Sequence, residues 1–137
     1  MSNFCSNLLL IAYYLLLMKK IVGITGGIGS GKSTVSTFIK ELGFPVYDSD
    51  FWAKELVNVD EQLKSKIIEL LGSDSYDENE KYNRKFVAEK VFDQQELLLK
   101  LNQIIHPAVK IHFENWVTAQ NAEFVFKETA LLFELKL

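Results

Sequence analysis

Lys20-Ile21-Val22-Gly23-Ile24-Thr25-Gly26-Gly27-Ile28-Gly29-Ser30-Gly31-Lys32-Ser33-Thr34 is the stretch on which the fold turns. Gly26 to Ser33 satisfy G-x-x-x-x-G-K-[ST] at every fixed position, after a β-branched apolar run and before a segment with helical spacing. In that context the motif is a phosphate-binding loop. Gly26, Gly27, Gly29 and Gly31 allow a tight backbone turn and leave no Cβ between a phosphate and the peptide N–H groups. Because the loop opens into a helix, the unpaired N–H groups of the first turn and the positive end of the helix dipole face the same anion. The predicted nucleotide-binding residues are therefore Gly26, Gly27, Ile28, Gly29, Ser30, Gly31, Lys32, Ser33 and Thr34. Lys32 is expected to reach the β and γ phosphates and Ser33 to ligate Mg²⁺. A dinucleotide-binding turn would need G-x-G-x-x-G and has no use for the Gly-Lys-Ser ending.

Around that loop the pattern is strand, helix, strand. Ile21, Val22 and Ile24 read as a short buried parallel strand. Lys32 to Leu42 reads as a helix carrying Val35, Phe38, Ile39 and Leu42 on one face, and Gly43 stops it. Phe44 to Tyr47 makes a second strand that runs into Asp48-Ser49-Asp50, at the carboxyl edge where doubly wound sheets bind ligands. If strand geometry persists, Asp48 and Asp50 point to the same side. Either could serve as a general base or a Mg²⁺ partner, or cap a helix over Phe51 to Val57.

From Asp60 to Gln120 the spacing is helical. Leu63, Ile67, Leu70 and Leu71 form one apolar stripe closed by Gly72; Phe86, Val87, Val91 and Phe92 form a second; Leu97, Leu98, Leu101, Ile104 and Ile105 a third. Ser73 to Asn83 is a polar loop. His106-Pro107 is expected to break the third helix and begin a fourth through Val109, Phe113, Trp116 and Val117. Trp52, Trp116 and the phenylalanines read as core. Glu123 to Lys127 is a third parallel strand, so one α/β unit with a helical insertion between strands two and three accounts for the order.

The bulk properties narrow the function classes. At 137 residues, with 48% hydrophobic and 24% charged residues, the chain has the composition of an ordered globular domain. A net charge of −3 offers no basic footprint for nucleic acid. Cys5 is the only cysteine, which excludes an intrachain disulfide and suits the cytoplasm. Residues 1–17 stand apart: Leu8 to Leu17 is an unbroken apolar run, shorter than the ~20 residues needed to span a bilayer. No basic residue precedes it and Met18-Lys19-Lys20 follows it, unlike a secretion signal. It reads as a non-native extension, with a membrane-surface anchor as the alternative.

The loop, Asp48-Ser49-Asp50, Asn83-Arg84, Ile105-His106-Pro107 and Leu131-Leu132-Phe133-Glu134 together resemble, in order and spacing, the bacterial dephospho-CoA kinase family. The resemblance runs from Met18 to Leu137. It implies a P-loop NTPase fold of the nucleotide-kinase type, an α/β parallel sheet with a helical acceptor-binding insertion at about 60–120. It also implies ATP-dependent phosphorylation of the 3′-hydroxyl of dephospho-CoA, with neither nucleic acid nor membrane as partner. On the matching positions, Asp50 is the residue that activates the acceptor hydroxyl, a substrate contact and a second candidate Mg²⁺ ligand. Lys32 and Asp48 join it as catalytic candidates, and Arg84, His106 and Pro107 are acceptor-binding candidates. Other small-molecule or nucleoside kinases, and a non-catalytic nucleotide-binding module, remain as alternatives. Ser49 stands at the centre of the usual Asp-Ala-Asp, Lys54 where arginine is frequent, and Ala130 in place of a proline. Family members continue for roughly another third with a lid that carries arginines, whereas Arg84 is the only arginine here. Without cationic groups closing over the phosphates, this length of chain is expected not to turn over by itself.

Overall fold

The computed structural model describes Leu10, Lys19–Thr25 and Gly31–Thr129. The phosphate-loop residues Gly26, Gly27, Ile28, Gly29 and Ser30, the Leu131 to Glu134 motif and nearly all of the apolar leader lie outside the described residues. The elements run β1 (Lys20–Thr25), α1 (Lys32–Glu41), β2 (Val46–Asp48), α2 (Ser49–Val59), α3 (Glu61–Leu71), α4 (Arg84–Val91), α5 (Gln95–Ala119) and β3 (Phe124–Thr129). They fall into two compact units rather than one. The first takes the chain up to Asp50 and again from His112; the second is Phe51–Ile111.

In the first unit β3 lies between β1 and β2, and both pairings are parallel. Lys20 pairs with Phe124 and Thr25 with Thr129, while Val46 to Asp48 pair with Phe126 to Glu128. Alternation along β3 sorts its side chains by face. Val125 and Lys127 share the face occupied by Phe113: Val125 is fully buried and the Lys127 ammonium lies 4.4 Å from the Phe113 ring centroid. Tyr47 joins them from β2, its ring 5.0 Å from Phe113 and 5.2 Å from Trp116, both edge-on. Burial holds the Tyr47 phenol protonated far above its ordinary range, so in the 2.9 Å contact with His112 the hydroxyl donates and Nδ1 accepts. The opposite face of β3 presents Phe126, edge-on to Phe44, and then Glu128.

Three expectations need correction in this unit. β1 is an edge strand, and Ile21 and Val22 are 46% and 39% exposed instead of buried, because a parallel strand is enclosed only when it has neighbours on both sides. On α1 the residue that goes inside is Ser36, while Val35, Phe38 and Leu42 are exposed, so the apolar face read from the spacing is not the buried one. The second strand starts at Val46, not Phe44: Pro45 has no N–H for the ladder and contributes only its carbonyl, which accepts from Phe126 N at 3.0 Å.

The second unit is helical, and its ends follow local chemistry. Asp60 Oδ1 accepts from Leu63 N at 3.0 Å, which caps α3, and Gly72 ends that helix at φ +99°, where a side chain would be strained. Leu63, Ile67 and Leu71 are buried along one stripe, as their spacing requires. Ser73–Ser75 form a short 3₁₀ turn, and Tyr76 and Tyr82 make an antiparallel bridge across the loop. The Tyr76 hydroxyl donates to Val57 O at 2.7 Å, and burial with nearby negative charge pushes that phenol up to about 12. Asn83 Oδ1 accepts from Phe86 N and caps α4, whose one buried apolar side chain is Val87; Phe92, expected on the same stripe, is exposed.

His106-Pro107 does not break a helix. Pro107 lies inside the single helix α5, Gln95–Ala119. An interior proline loses one backbone hydrogen bond and crowds the preceding turn. Burial of Leu101 and Val109 before and after it, and of Phe113 and Val117 further on, offsets that cost along one continuous stripe.

Candidate functional site

The site is assembled where β1, β3 and β2 end. Gly31 holds φ +81° and leads directly into α1, so Lys32 stands in the first turn of that helix and its carboxylate partners come from the neighbouring strands. The Lys32 ammonium lies 3.6 Å from Glu128 Oε1 and 3.9 Å from Asp50 Oδ2. These pairings differ in surroundings: the side chains of Lys32 and Glu128 are 14% and 9% exposed, whereas that of Asp50 is 52% exposed. Glu128 is thus the enclosed counter-ion, and Asp50 faces solvent with an oxygen that an incoming group can reach.

Asp48 and Asp50 do not share a strand face. β2 ends at Asp48 and α2 begins at Ser49, two residues earlier than the spacing suggested, so Asp50 belongs to the first turn of a helix. An acidic residue there is stabilised by the helix dipole. Asp48 remains in the strand and pairs in register with Glu128. Between the aspartates the Ser49 hydroxyl is buried with no protein hydrogen-bond partner. Ser33 and Thr34 border a surface depression with Thr37, Phe38 and Glu41, and the Thr37 hydroxyl donates to Ser33 O at 2.9 Å, which steadies the first turn after Lys32.

Glu128 escaped sequence reasoning. An acidic residue closing an apolar strand after a phosphate loop is where P-loop NTPases place a metal-associated carboxylate, and that signal was present in Phe124-Val125-Phe126-Lys127-Glu128. Among the described residues no group of three or more His, Cys, Asp and Glu side chains could hold a metal unaided. Mg²⁺ does not require one: it binds through one or two carboxylates together with the phosphates of its nucleotide. The hard oxygens of Ser33, Asp50 and Glu128 fit that ion.

The other predicted residues belong to the second unit, where Arg84 opens α4 and His106 and Pro107 lie along α5. Arg84 borders a cleft of about 330 Å³ with Lys54 and Tyr82. His106 is exposed at its edge, yet partial burial of the ring still lowers its pKa. Among the described residues no helix is long and apolar enough to cross a membrane.

A parallel β1-β3-β2 sheet, a Gly-Lys-Ser loop entering α1 and a lysine flanked by strand-end carboxylates define a P-loop NTPase fold. The comparisons give the same class from independent directions. A profile of the dephospho-CoA kinase family matches residues 20–137, and the chain belongs to that family. The dephospho-CoA kinase of Staphylococcus aureus is 38% identical over 122 residues, covering 88% of this chain and 59% of that protein. That of Bacillus thuringiensis is 37% identical over 123 residues, 88% of this chain and 62% of its own length. Among solved structures, a Thermus thermophilus protein superposes with a TM-score of 0.68 at 36% identity, covering 85% of this chain and 58% of its own. The Campylobacter jejuni dephospho-CoA kinase does so with a TM-score of 0.65 at 26% identity, covering 85% and 60%. The chain therefore spans about three fifths of the length of the curated relatives it matches.

Proposed function

We propose that this chain binds MgATP and transfers its γ-phosphoryl group to the ribose 3′-hydroxyl of dephospho-CoA, giving coenzyme A and ADP. The observation that carries the reading is Lys32, the lysine of a complete phosphate-loop motif, held between Glu128 and Asp50 at the carboxyl ends of adjacent parallel elements. Family membership supplies the acceptor.

In this scheme the Gly26 to Thr34 loop binds the phosphates through backbone N–H groups, and Lys32 leaves its carboxylates to balance charge on the β and γ oxygens. The acceptor oxygen forms a bond to the γ-phosphorus as the bond to the β-bridging oxygen breaks. Asp50 takes the hydroxyl proton, because it is the solvent-facing carboxylate beside Lys32. Asp48 orients the turn that carries it. Mg²⁺, when bound through Ser33 and an acidic partner from Asp50 or Glu128, supplies charge neutralisation. Arg84, His106 and Pro107 contribute to acceptor binding from the helical unit. The lone cysteine fits operation in a reducing cytoplasm.

Single-turnover transfer with protein in excess over γ-labelled ATP tests this, since it detects rates well below ordinary turnover. Label is expected on dephospho-CoA and not on adenosine or other nucleosides. Label on a nucleoside alone would assign the chain to another kinase activity, and saturable ATP binding without binding of dephospho-CoA would mark a non-catalytic module.

A further inference from the structure

The cleft in the helical unit has a chemistry more specific than a generic surface depression. Its floor is apolar: Val57, Val87 and Leu101 line it, and all three are buried. Its polar side chains are Lys54, Tyr82 and Arg84. The two cations are exposed, and Arg84 is close enough to Tyr82 for its positive charge to act on the phenol. Arg84 also occupies the first position of α4, so the positive end of that helix dipole lies at the same place. No carboxylate lines the cleft. At about 330 Å³ it lies at the small end of ligand pockets, which suits a slender chain better than a fused ring system.

An apolar slot with two unopposed cations at its rim selects a ligand that is itself divided: a narrow, uncharged arm attached to a phosphate. Guanidinium and ammonium groups are the side chains that grip phosphate oxygens, the first with paired N–H donors and the second as a point charge. We infer that this cleft receives the pantetheine arm of the acceptor, with the diphosphate at the arm's root on Lys54 and Arg84. The inference rests on the proposed function for the identity of the acceptor and adds where its non-reacting half is held. Binding energy from a remote part of a substrate is what positions the reacting hydroxyl. Because coenzyme A and dephospho-CoA carry the same arm, the cleft holds substrate and product alike, and discrimination between them is left to the phosphorylation site.

The test uses the whole chain and calorimetry with dephospho-CoA, coenzyme A, 4′-phosphopantetheine and ATP. Two sets of variants separate filling from charge. Ala88→Phe places a ring in the cleft from an exposed position on α4, so the core is not disturbed. The double variant Lys54→Ala with Arg84→Ala removes the phosphate grip from exposed positions. Each should weaken dephospho-CoA, coenzyme A and 4′-phosphopantetheine by at least tenfold, in parallel, with ATP affinity within twofold of the parent. Unchanged thermal unfolding of both sets confirms that they fold. Dephospho-CoA and 4′-phosphopantetheine binding within twofold of the parent in both sets would overturn the cleft assignment and leave the proposed function standing. A parent chain that binds ATP but none of the three arm-bearing ligands would overturn the function and, with it, this inference.

Discussion

Glu128→Gln perturbs the site at its most enclosed point while preserving side-chain size. At 3.6 Å from the Lys32 ammonium, and with an effective dielectric of about 20, the gross attraction is ~4.6 kcal/mol. Most of that is offset by the desolvation both ions suffer on burial. Lys32 also keeps a second carboxylate, Asp50, at 3.9 Å, although half-exposed and hence weakly coupled. The net loss on neutralising Glu128 is therefore about 1–2 kcal/mol, below the ~3–5 kcal/mol of a fully buried ion left alone. Asp50→Asn, by the same reasoning, costs less than ~0.5 kcal/mol. With about 4 °C of melting temperature per kcal/mol for a chain of this size, Glu128→Gln should melt roughly 4–8 °C below the parent and Asp50→Asn within about 2 °C of it. Circular dichroism melts of the three proteins, without nucleotide and at one salt concentration, read the difference. Equal melting temperatures for Glu128→Gln and the parent, or a larger loss for Asp50→Asn, would refute the picture of Glu128 as the enclosed counter-ion of Lys32.

Kinetics should rank the same two residues differently. In the single-turnover assay Asp50→Asn is expected to lower the transfer rate by ~10²–10⁴ with ATP affinity nearly intact, and a rate within threefold of the parent would remove the base assignment. Lys32→Ala should weaken ATP binding by ~1.5–3 kcal/mol in calorimetry, the range for hydrogen bonds to charged groups, and an unchanged affinity would take Lys32 out of the phosphate cup. Tyr76 makes the fold sensitive to alkali. Its folded-state pKa, near 12, lies above the ordinary value of 10.0. A raised acid contributes stability that is complete below the unfolded value and lost as pH rises through the folded one, so stability should decline between pH 10.0 and about 12. Tyr76→Phe should flatten that decline and cost ~1–3 kcal/mol at neutral pH through the orphaned Val57 carbonyl; pH-dependent urea melts of both proteins measure the two effects.

Features governed by neighbours in sequence were legible before any coordinates. Asp60, Gly72 and Gly43 mark helix ends through a cap or a positive φ, and those signals are local. The spacing of Leu63, Ile67 and Leu71 sufficed to place the buried stripe of α3. What could not be read depends on contacts distant along the chain. Ile21 and Val22 look like a buried parallel strand in isolation, and only the strand order makes β1 an edge. Pro107 looks like a break until the stripe from Leu101 to Val117 is seen to be buried on both sides of it. Glu128 acquires its place opposite Lys32 because β3 inserts between β1 and β2, an event that no local pattern records.

The position of β3 also bears on the order in which the protein can assemble as it is synthesised. β1 and β2 have only β3 as a hydrogen-bonding neighbour in this sheet, and β3 is the last of the three to leave the ribosome. Lys20 must wait for Phe124, and Val46 for Phe126. During that interval the nascent chain holds two unpaired strand segments at its front, while the helical unit behind them can close through contacts nearer in sequence, such as Tyr76 on Val57. Pairings this far apart are slow to form and leave strand edges open meanwhile. Translation rate through Phe124–Thr129, and chaperone occupancy before that point, are therefore the variables expected to govern the yield of folded chain.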